Sequence, residues 1–242
     1  VLDLQLLLAY QTAAAMENEL GMEAYSQLYS QQANRLTETI RNRYWDEAKG
    51  LVADNAGKDG FSQHANALAI LTGVLSEEQG IRVAQKMLSD RSLAPASIYF
   101  KYYLHRALIK AGLGDGYLSW LDKWHENIAM GMTTWAEDYD VHSARSDCHA
   151  WGSSPNIEFY RTVLGVDSDA PGFSRVRIQP HLGPLQKAGG EIPHPRGRIA
   201  VNYERTSGHW EIDVSLPDTL NGTLIWENKS YPLKPGKNEI RP

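Results

Sequence analysis

The chain has 242 residues, of which 42% are hydrophobic and 22% are charged, and its net charge is −5. This composition predicts a folded globular protein with room for one large or two modest cores, and it excludes a disordered chain. Lys and Arg side chains are scattered without a basic stripe, so no nucleic-acid partner is expected. The single cysteine, Cys148, excludes an intramolecular disulfide and a cysteine-based zinc cluster.

The first residues are typical of a helix that is already under way. Val1 is followed by Leu2-Asp-Leu-Gln-Leu-Leu-Leu, with no basic segment before an apolar one, and the pattern indicates a fragment of a longer protein. Apolar runs fall far short of the ~20 residues that a membrane span needs, so no span is predicted.

Helix-forming segments alternate with turn residues over the first two thirds of the chain. Residues 45–55 interrupt this pattern and predict a short loop or β-hairpin. The helices pair into three and a half hairpins, spaced by roughly 50 residues, which indicates a solenoid or a toroid of helix pairs. The predicted helices cover residues 2–19, 25–44, 63–75, a segment starting at the capping box Ser76-Glu-Glu-Gln79, 98–111, 117–129, and a segment capped by Ser154 that ends at Gly165.

Past Gly165 the hydrophobic period changes from 3.6 to 2. Apolar residues alternate with polar ones around 176–178, 199–203, 210–216 and 224–226. The intervening pairs predict turns: Gly189-Gly190, Ser207-Gly208, Asn221-Gly222, Asn228-Lys229 and Pro235-Gly236. The pattern predicts an antiparallel β-sandwich, and therefore two domains, one helical over 1–165 and one β-sandwich over 166–242.

One stretch, Gly131 to Trp151, concentrates the polar residues that could carry chemistry. Carboxylates and imidazoles beside indoles, without helical or strand periodicity, are typical of a sugar site. The alternative is a polar surface loop that two tryptophans anchor. No spacing fits a metal site, so neither a metal nor another cofactor is predicted. The residues concerned are Trp135, Glu137, Asp138, Asp140, His142, Arg145, Asp147, His149 and Trp151.

Two motifs in this stretch resemble those of the bacterial α-L-rhamnosidases of glycoside hydrolase family 78. Gly131-Met-Thr-Thr-Trp-Ala-Glu137 resembles the family's Gly-x-Thr-Thr-x-x-Glu element, and Ser146-Asp-Cys-His-Ala-Trp151 resembles its Ser-x-x-His-Ala-Trp segment. The passage from Leu164 to Pro180 is similar to the family's crossing into its sandwich. The resemblance covers nearly the whole chain and implies a multidomain α and β protein: a partial (α/α)6 six-hairpin toroid followed by an antiparallel β-sandwich.

The resemblance also implies roles for individual residues. Glu137 matches the general base, which takes a proton from the attacking water in an inverting reaction, and His149 matches a histidine that contacts the sugar. Trp135, Trp151 and Asp138 are predicted to bind substrate beside them. The substrate implied is a rhamnose-containing oligosaccharide or glycoside, and a periplasmic or extracellular location is favoured for a polysaccharide-degrading enzyme.

The sequence departs from the family in one respect. Nothing in it resembles the family's Asp- and Arg-rich motif, which carries the general acid, so the chain by itself is expected to bind sugar weakly without hydrolysing it. The edge of the partial toroid is expected to be covered by association. The alternatives are a non-catalytic carbohydrate-binding module and a helical-repeat scaffold that binds protein.

Three other features of the sequence are interpreted as parts of the fold and not as parts of a functional site. His64 is interpreted as a polar side chain near a helix cap. Tyr99, Tyr102 and Tyr103 are mostly core residues by their spacing, although one could edge a cleft. Cys148 has no adjacent base and is interpreted as a small packing residue.

Overall fold

A computed structural model describes residues 1–138 and 146–242. Asp140, His142 and Arg145 lie outside the described residues. The chain forms two compact units. Unit 1 comprises Val1–Leu113 and Ala136–Cys148, and unit 2 comprises Gly114–Trp135 and His149–Pro242.

Unit 1 is built from helices and one short β-hairpin. Its elements are α1 (Leu2–Glu19), α2 (Glu23–Tyr44), β1 (Trp45–Asp46), β2 (Leu51–Val52), α3 (Gln63–Leu71), α4 (Glu77–Ser89) and α5 (Lys101–Lys110). Helix α1 packs along α2, and α3 packs against α1, α4 and α5. This arrangement confirms the predicted pairing of α1 with α2 and of α3 with α4.

Caps explain where two of these helices begin. The Ser76 hydroxyl accepts a hydrogen bond from the Gln79 backbone N–H, while the Gln79 side chain accepts one from the Ser76 N–H, so the predicted capping box is confirmed. The Ser62 hydroxyl accepts from the Ala65 N–H at 3.2 Å and caps α3. Helix α3 ends at Leu71, before the predicted residue 75, because Gly73 takes a positive φ of 71° and turns the chain.

The prediction of one continuous helix over 117–129 is wrong. Residues Gly114–Trp120 form a 3-10 helix, and α6 (Asp122–Ala129) follows it. A Cβ on Gly116 would lie 3.0 Å from the Trp120 ring, so glycine lets this ring lie against the tighter turn.

The last predicted helix is also divided. It consists of α7 (Ser154–Glu158) and a π-helical turn over Phe159–Val163. Ser154 is the first helical residue, and the cap position falls on Ser153, which makes no side-chain cap hydrogen bond. The prediction of Ser154 as the cap is therefore wrong, whereas Gly165 does follow the end of the helical segment, with a φ of 76°.

Two four-stranded sheets complete unit 2. One has the order β10-β7-β6-β5 and the other β3-β4-β8-β9, and their pairs are antiparallel apart from the parallel pair β4·β8. The predicted sandwich of antiparallel sheets is confirmed with that one exception. The strands are β3 (Val166–Ser168), β4 (Arg175–Ile178), β5 (Lys187–His194), β6 (Gly197–Thr206), β7 (His209–Leu216), β8 (Asn221–Trp226), β9 (Lys229–Leu233) and β10 (Gly236–Ile240).

Two of the predicted turns lie inside strands instead. Gly189-Gly190 falls within β5, where a Cβ on Gly190 would come within 2.9 Å of the Leu164 side chain. Asn221-Gly222 begins β8, where a Cβ on Gly222 would meet the Val176 carbonyl oxygen of the parallel strand at 2.3 Å. In both places glycine permits close packing of the sheet and does not mark a turn.

The inward residues of both sheets form one hydrophobic core in unit 2. Alternate residues of β6 and β7 are fully buried, as the sequence period predicted. The Tyr203 hydroxyl lies inside this core and donates to the Leu164 carbonyl at 2.7 Å. The helical segment that ends at Leu164 therefore contributes to the sandwich core.

Candidate functional site

The five predicted site residues are divided between the two units. Glu137 and Asp138 lie in unit 1, whereas Trp135, His149 and Trp151 lie in unit 2.

In unit 2, His149 contacts both tryptophans of the predicted site, Trp135 and Trp151. Its backbone N–H donates to the Trp135 carbonyl at 2.9 Å. Its imidazole lies over the Trp151 indole, with ring centroids 4.6 Å apart and planes inclined by 32°. Trp151 is 44% exposed, while Trp135 and His149 are half-buried. The structure therefore brings the His149 and Trp151 rings together at one partly exposed aromatic face, with the Trp135 backbone beside them.

Trp124 fixes the segment that follows His149. Ala150–Ser153 forms a 3-10 helix, and the Trp124 indole N–H donates to the Gly152 carbonyl in this helix at 2.6 Å. Trp124 itself is 2% exposed and belongs to α6. No sequence signal could have found this bond, because it joins residues 28 positions apart.

In unit 1, the backbone around Glu137 is fixed by hydrogen bonds within the segment Ala136–Cys148. The Glu137 N–H donates to the Ser146 carbonyl at 2.9 Å, and the Ser146 hydroxyl accepts from the Cys148 N–H at 3.2 Å. Ala136 is fully buried, whereas Glu137 is half-buried and Asp138 is exposed. Glu137 is therefore partly accessible to water, and its backbone is fixed by the bond to Ser146.

Two other residues of this stretch, Asp147 and Cys148, have exposed side chains. The interpretation of Cys148 as a packing residue is therefore wrong.

Within residues 1–138 and 146–242, no three histidine, cysteine or carboxylate side chains group as metal ligands would. Among the helices of this same part of the chain, none has both the length and the apolar character needed to cross a membrane.

Both parts of the chain match families of known proteins. Residues 3–163 match the family described as the bacterial alpha-L-rhamnosidase 6 hairpin glycosidase domain. Residues 165–241 match the bacterial alpha-L-rhamnosidase C-terminal domain. The helical part thus has the fold of a six-hairpin glycosidase domain. More particularly, the chain belongs to the bacterial α-L-rhamnosidase family, which confirms the resemblance that its motifs indicated.

Individual relatives agree with this assignment. An α-L-rhamnosidase of Alteromonas sp. (strain LOR) is 26% identical, and the alignment covers 86% of this chain and 24% of that protein. The crystal structure of a family 78 rhamnosidase from Bacillus sp. GL1 superposes with a TM-score of 0.82 at 26% identity, covering 91% of this chain and 25% of that one. The chain therefore spans about a quarter of the length of these relatives.

A more distant structure shares the fold. The α-L-rhamnosidase of Streptomyces avermitilis, solved in complex with L-rhamnose, superposes with a TM-score of 0.76 at 16% identity, over 96% of this chain and 26% of that one. At this identity the likeness is evidence of the fold alone.

Proposed function

We propose that this chain is the C-terminal part of an inverting α-L-rhamnosidase that releases terminal α-L-rhamnose from an oligosaccharide or glycoside. The observation that carries the proposal is the match of two successive family domains, in order, along nearly the whole chain. The rhamnosidase names of the relatives from Alteromonas and Bacillus supply the substrate class. We place the division between these domains at residues 165 and 166.

Glu137 is the general base in this proposal. Its carboxylate takes a proton from a water molecule as the water oxygen bonds to the anomeric carbon. A second carboxyl group, from outside the residues described, donates a proton to the departing glycosidic oxygen as its bond to that carbon breaks. Inversion requires the two carboxyl groups to stand about 6.5–9.5 Å apart, which leaves room for the water.

His149 and Trp151 bind the sugar in this proposal, with Trp135 and Asp138 beside them. An uncharged imidazole can both donate to and accept from hydroxyl groups, and the half-exposed indole offers an apolar face to the C–H side of a pyranose. The hydrogen bonds to the Trp135 and Gly152 carbonyls fix the backbone of the segment that carries both rings before a ligand binds.

Exposed apolar side chains of α1 indicate that further helices pack against it. It carries no charged residue from Leu4 to Met16, yet Leu6 and Met16 are about half exposed. A helix that is apolar all round is normally buried. We infer that another helix pair of the six-hairpin domain covers this side of α1 in the assembled protein.

The isolated 242-residue chain is expected to show no measurable hydrolysis of an aryl α-L-rhamnoside. Without an acid to protonate the leaving oxygen, the rate falls by roughly 10²–10⁴-fold for that group alone. Release of the chromophore from the purified chain measures this. A steady rate above that of buffer, lost in Glu137→Gln, would contradict the expectation.

L-Rhamnose is expected to stabilise the chain against heat. At about ten times its Kd, a ligand that binds only the folded state adds roughly 1.4 kcal/mol, equivalent to roughly 3–6 °C in Tm for a chain of this size. In the double variant Glu137→Gln/His149→Ala the shift should vanish. Differential scanning fluorimetry across a rhamnose titration measures the shift.

The matched control replaces the same residue types at exposed positions of the sandwich, Glu227→Gln and His209→Ala. This control should keep the full rhamnose-induced shift. No shift in the unaltered chain at high millimolar rhamnose would argue against a sugar site. That result would favour a helical-repeat scaffold.

A further inference from the structure

Strand β5 forms an open edge of its sheet. It has eight residues and pairs on one side only, with β6. The other edge strands of residues 166–242, which are β3, β9 and β10, have three to five residues. An open edge presents a row of backbone N–H and C=O groups that can pair with another strand, so β5 offers the longest such row of the two sheets.

The odd-numbered residues of β5 carry the backbone groups of the open edge. The Arg205 N–H donates to the Gln186 carbonyl at 2.9 Å, directly before the ladder in which Lys187 lies opposite Glu204. Hydrogen-bonded and non-hydrogen-bonded pairs alternate along an antiparallel ladder. The even-numbered residues therefore bond to β6, and the backbone groups of the odd-numbered residues point away from it.

Three successive odd-numbered residues, Lys187, Gly189 and Glu191, offer both an N–H and a C=O group at this edge. Within residues 1–138 and 146–242, no hydrogen bond reaches these backbone groups. Pro193, the next residue of the series, has no N–H, so it ends the row. The open edge is thus a short ladder with a defined end.

The charges on β5 favour one register with a second copy of the same strand. In an antiparallel pair centred on Gly189, Lys187 of each copy lies opposite Glu191 of the other, which gives two attractive pairs. A register centred on Lys187 or on Glu191 places like charges opposite each other and is unfavourable. Charges of one sign would only repel a second copy, whereas these make the edge self-complementary.

Both charged side chains are accessible to a second strand. The Lys187 side chain is 65% exposed and that of Glu191 is 60% exposed. Lys187 lies 3.0 Å from Glu204, and Glu191 lies 2.8 Å from Arg198, both on the solvent face of the sheet. Exposed ion pairs of this kind contribute little to stability, so they do not prevent new pairs from forming across the edge.

An exposed aromatic ring adjoins the same edge. A Cβ on Gly190 would lie 3.8 Å from Cε1 of Tyr160, so this ring lies beside β5. Tyr160 is 41% exposed, as is its neighbour Phe159. In the register centred on Gly189, Ala188 of the second copy lies opposite Gly190 and next to the Tyr160 ring. Pairing would therefore cover apolar surface in addition to forming backbone hydrogen bonds.

We propose that β5 is an interaction surface for a second copy of this chain, whose own β5 pairs with it antiparallel around a two-fold axis at Gly189. The four-stranded sheets of the two copies then join into one continuous sheet. The outward backbone groups of Lys187, Gly189 and Glu191 all gain partners in this dimer. The interface contains none of the residues proposed to act on the sugar.

Sedimentation velocity of the purified 242-residue chain, over a series of concentrations, measures this association. We expect a reversible equilibrium between monomer and dimer. Lys187→Glu places like charges opposite each other at both pairs and should weaken the dimer roughly tenfold or more. Glu191→Lys should weaken it to a similar degree, and circular dichroism checks that both variants remain folded.

A mixture of these two variants restores the complementary charges. Both charges of β5 are negative in Lys187→Glu and positive in Glu191→Lys, so a dimer with one copy of each has two attractive pairs. Mixing should therefore recover association to within about threefold of the unaltered chain. Lys237→Glu, at a 68% exposed, ion-paired position of β10 in the same sheet, is the matched control and should leave the dimer unchanged.

Three results would overturn the proposal. The first is an unaltered chain that stays monomeric at every concentration. The second is a dimer that Lys187→Glu does not weaken, which would place the contact on another surface, such as the exposed side of α1. The third is a mixture of the two variants that associates no better than either variant alone.

Discussion

Lowering the pH from 7 to 5 is expected to reduce the free energy of unfolding by about 2 kcal/mol through His105 alone. This side chain of α5 is 1% exposed. Burial, and to a lesser extent the charge of Lys101, lowers its pKa from 6.5 to about 3. Between pH 6.5 and pH 3, His105 therefore binds a proton in the unfolded state but not in the folded state. The free energy of unfolding accordingly falls as the pH drops from 6.5 towards 3.

Urea denaturation at pH 7, 6 and 5 measures this dependence. His105→Gln cannot take up the proton and should show a flatter profile, whatever its stability at pH 7. His125→Gln, at an exposed position, should keep the profile of the unaltered chain. Burial also lowers the pKa values of His64 and His181, so a smaller dependence of the same sign will persist. An unchanged slope in His105→Gln would disprove the assignment.

Gly165→Ala is expected to cost on the order of 3 kcal/mol or more of stability. Gly165 has a φ of 76°, which disfavours any residue with a Cβ. An added Cβ would also lie 2.2 Å from the backbone carbon of Gln179, whose N–H donates to the Gly165 carbonyl. Backbone cannot rotate away as a side chain can, so the strand β4 would have to shift.

Gly208→Ala separates the cost of the positive φ from the cost of the close contact with Gln179. Gly208 has a φ of 88°, and an added Cβ there would meet nothing within 4 Å. Its cost should be limited to the conformational penalty of about 1–2 kcal/mol. Thermal unfolding of both variants gives the comparison, and similar losses at the two glycines would show that the contact with Gln179 relaxes freely.

Features set by neighbouring residues were predictable from the sequence. The capping box at Ser76 and Gln79 closes over four residues, and the burial of alternate residues in β6 and β7 follows from the pleat. The turn at Ser207-Gly208 is confirmed by the positive φ of both residues. In each case the decisive interaction lies within the element or its nearest turn.

Features set by distant residues were not predictable. Gly190 and Gly222 carry the same local signal as a turn glycine, but their small size serves contacts with Leu164 and Val176. Likewise, the bond from Trp124 to Gly152 and the contact between the His64 and Phe100 rings each join residues about 30 positions apart. Site motifs could name Glu137 and His149, but they carried no information on these supports.

The hydrogen bond from the Tyr203 hydroxyl to the Leu164 carbonyl limits how this protein can be recombined. Tyr203 is fully buried, so a sandwich grafted onto another helical domain without a carbonyl group at the position of Leu164 would bury an unpaired hydroxyl, at about 1–3 kcal/mol. Such a graft would also lose the Leu164 side chain that packs on Gly190. A chimera whose junction lies upstream of α7 keeps the Tyr203 hydroxyl paired. Among chimeras made from two related proteins, those joined upstream of α7 should therefore fold more often than those joined at the start of β3.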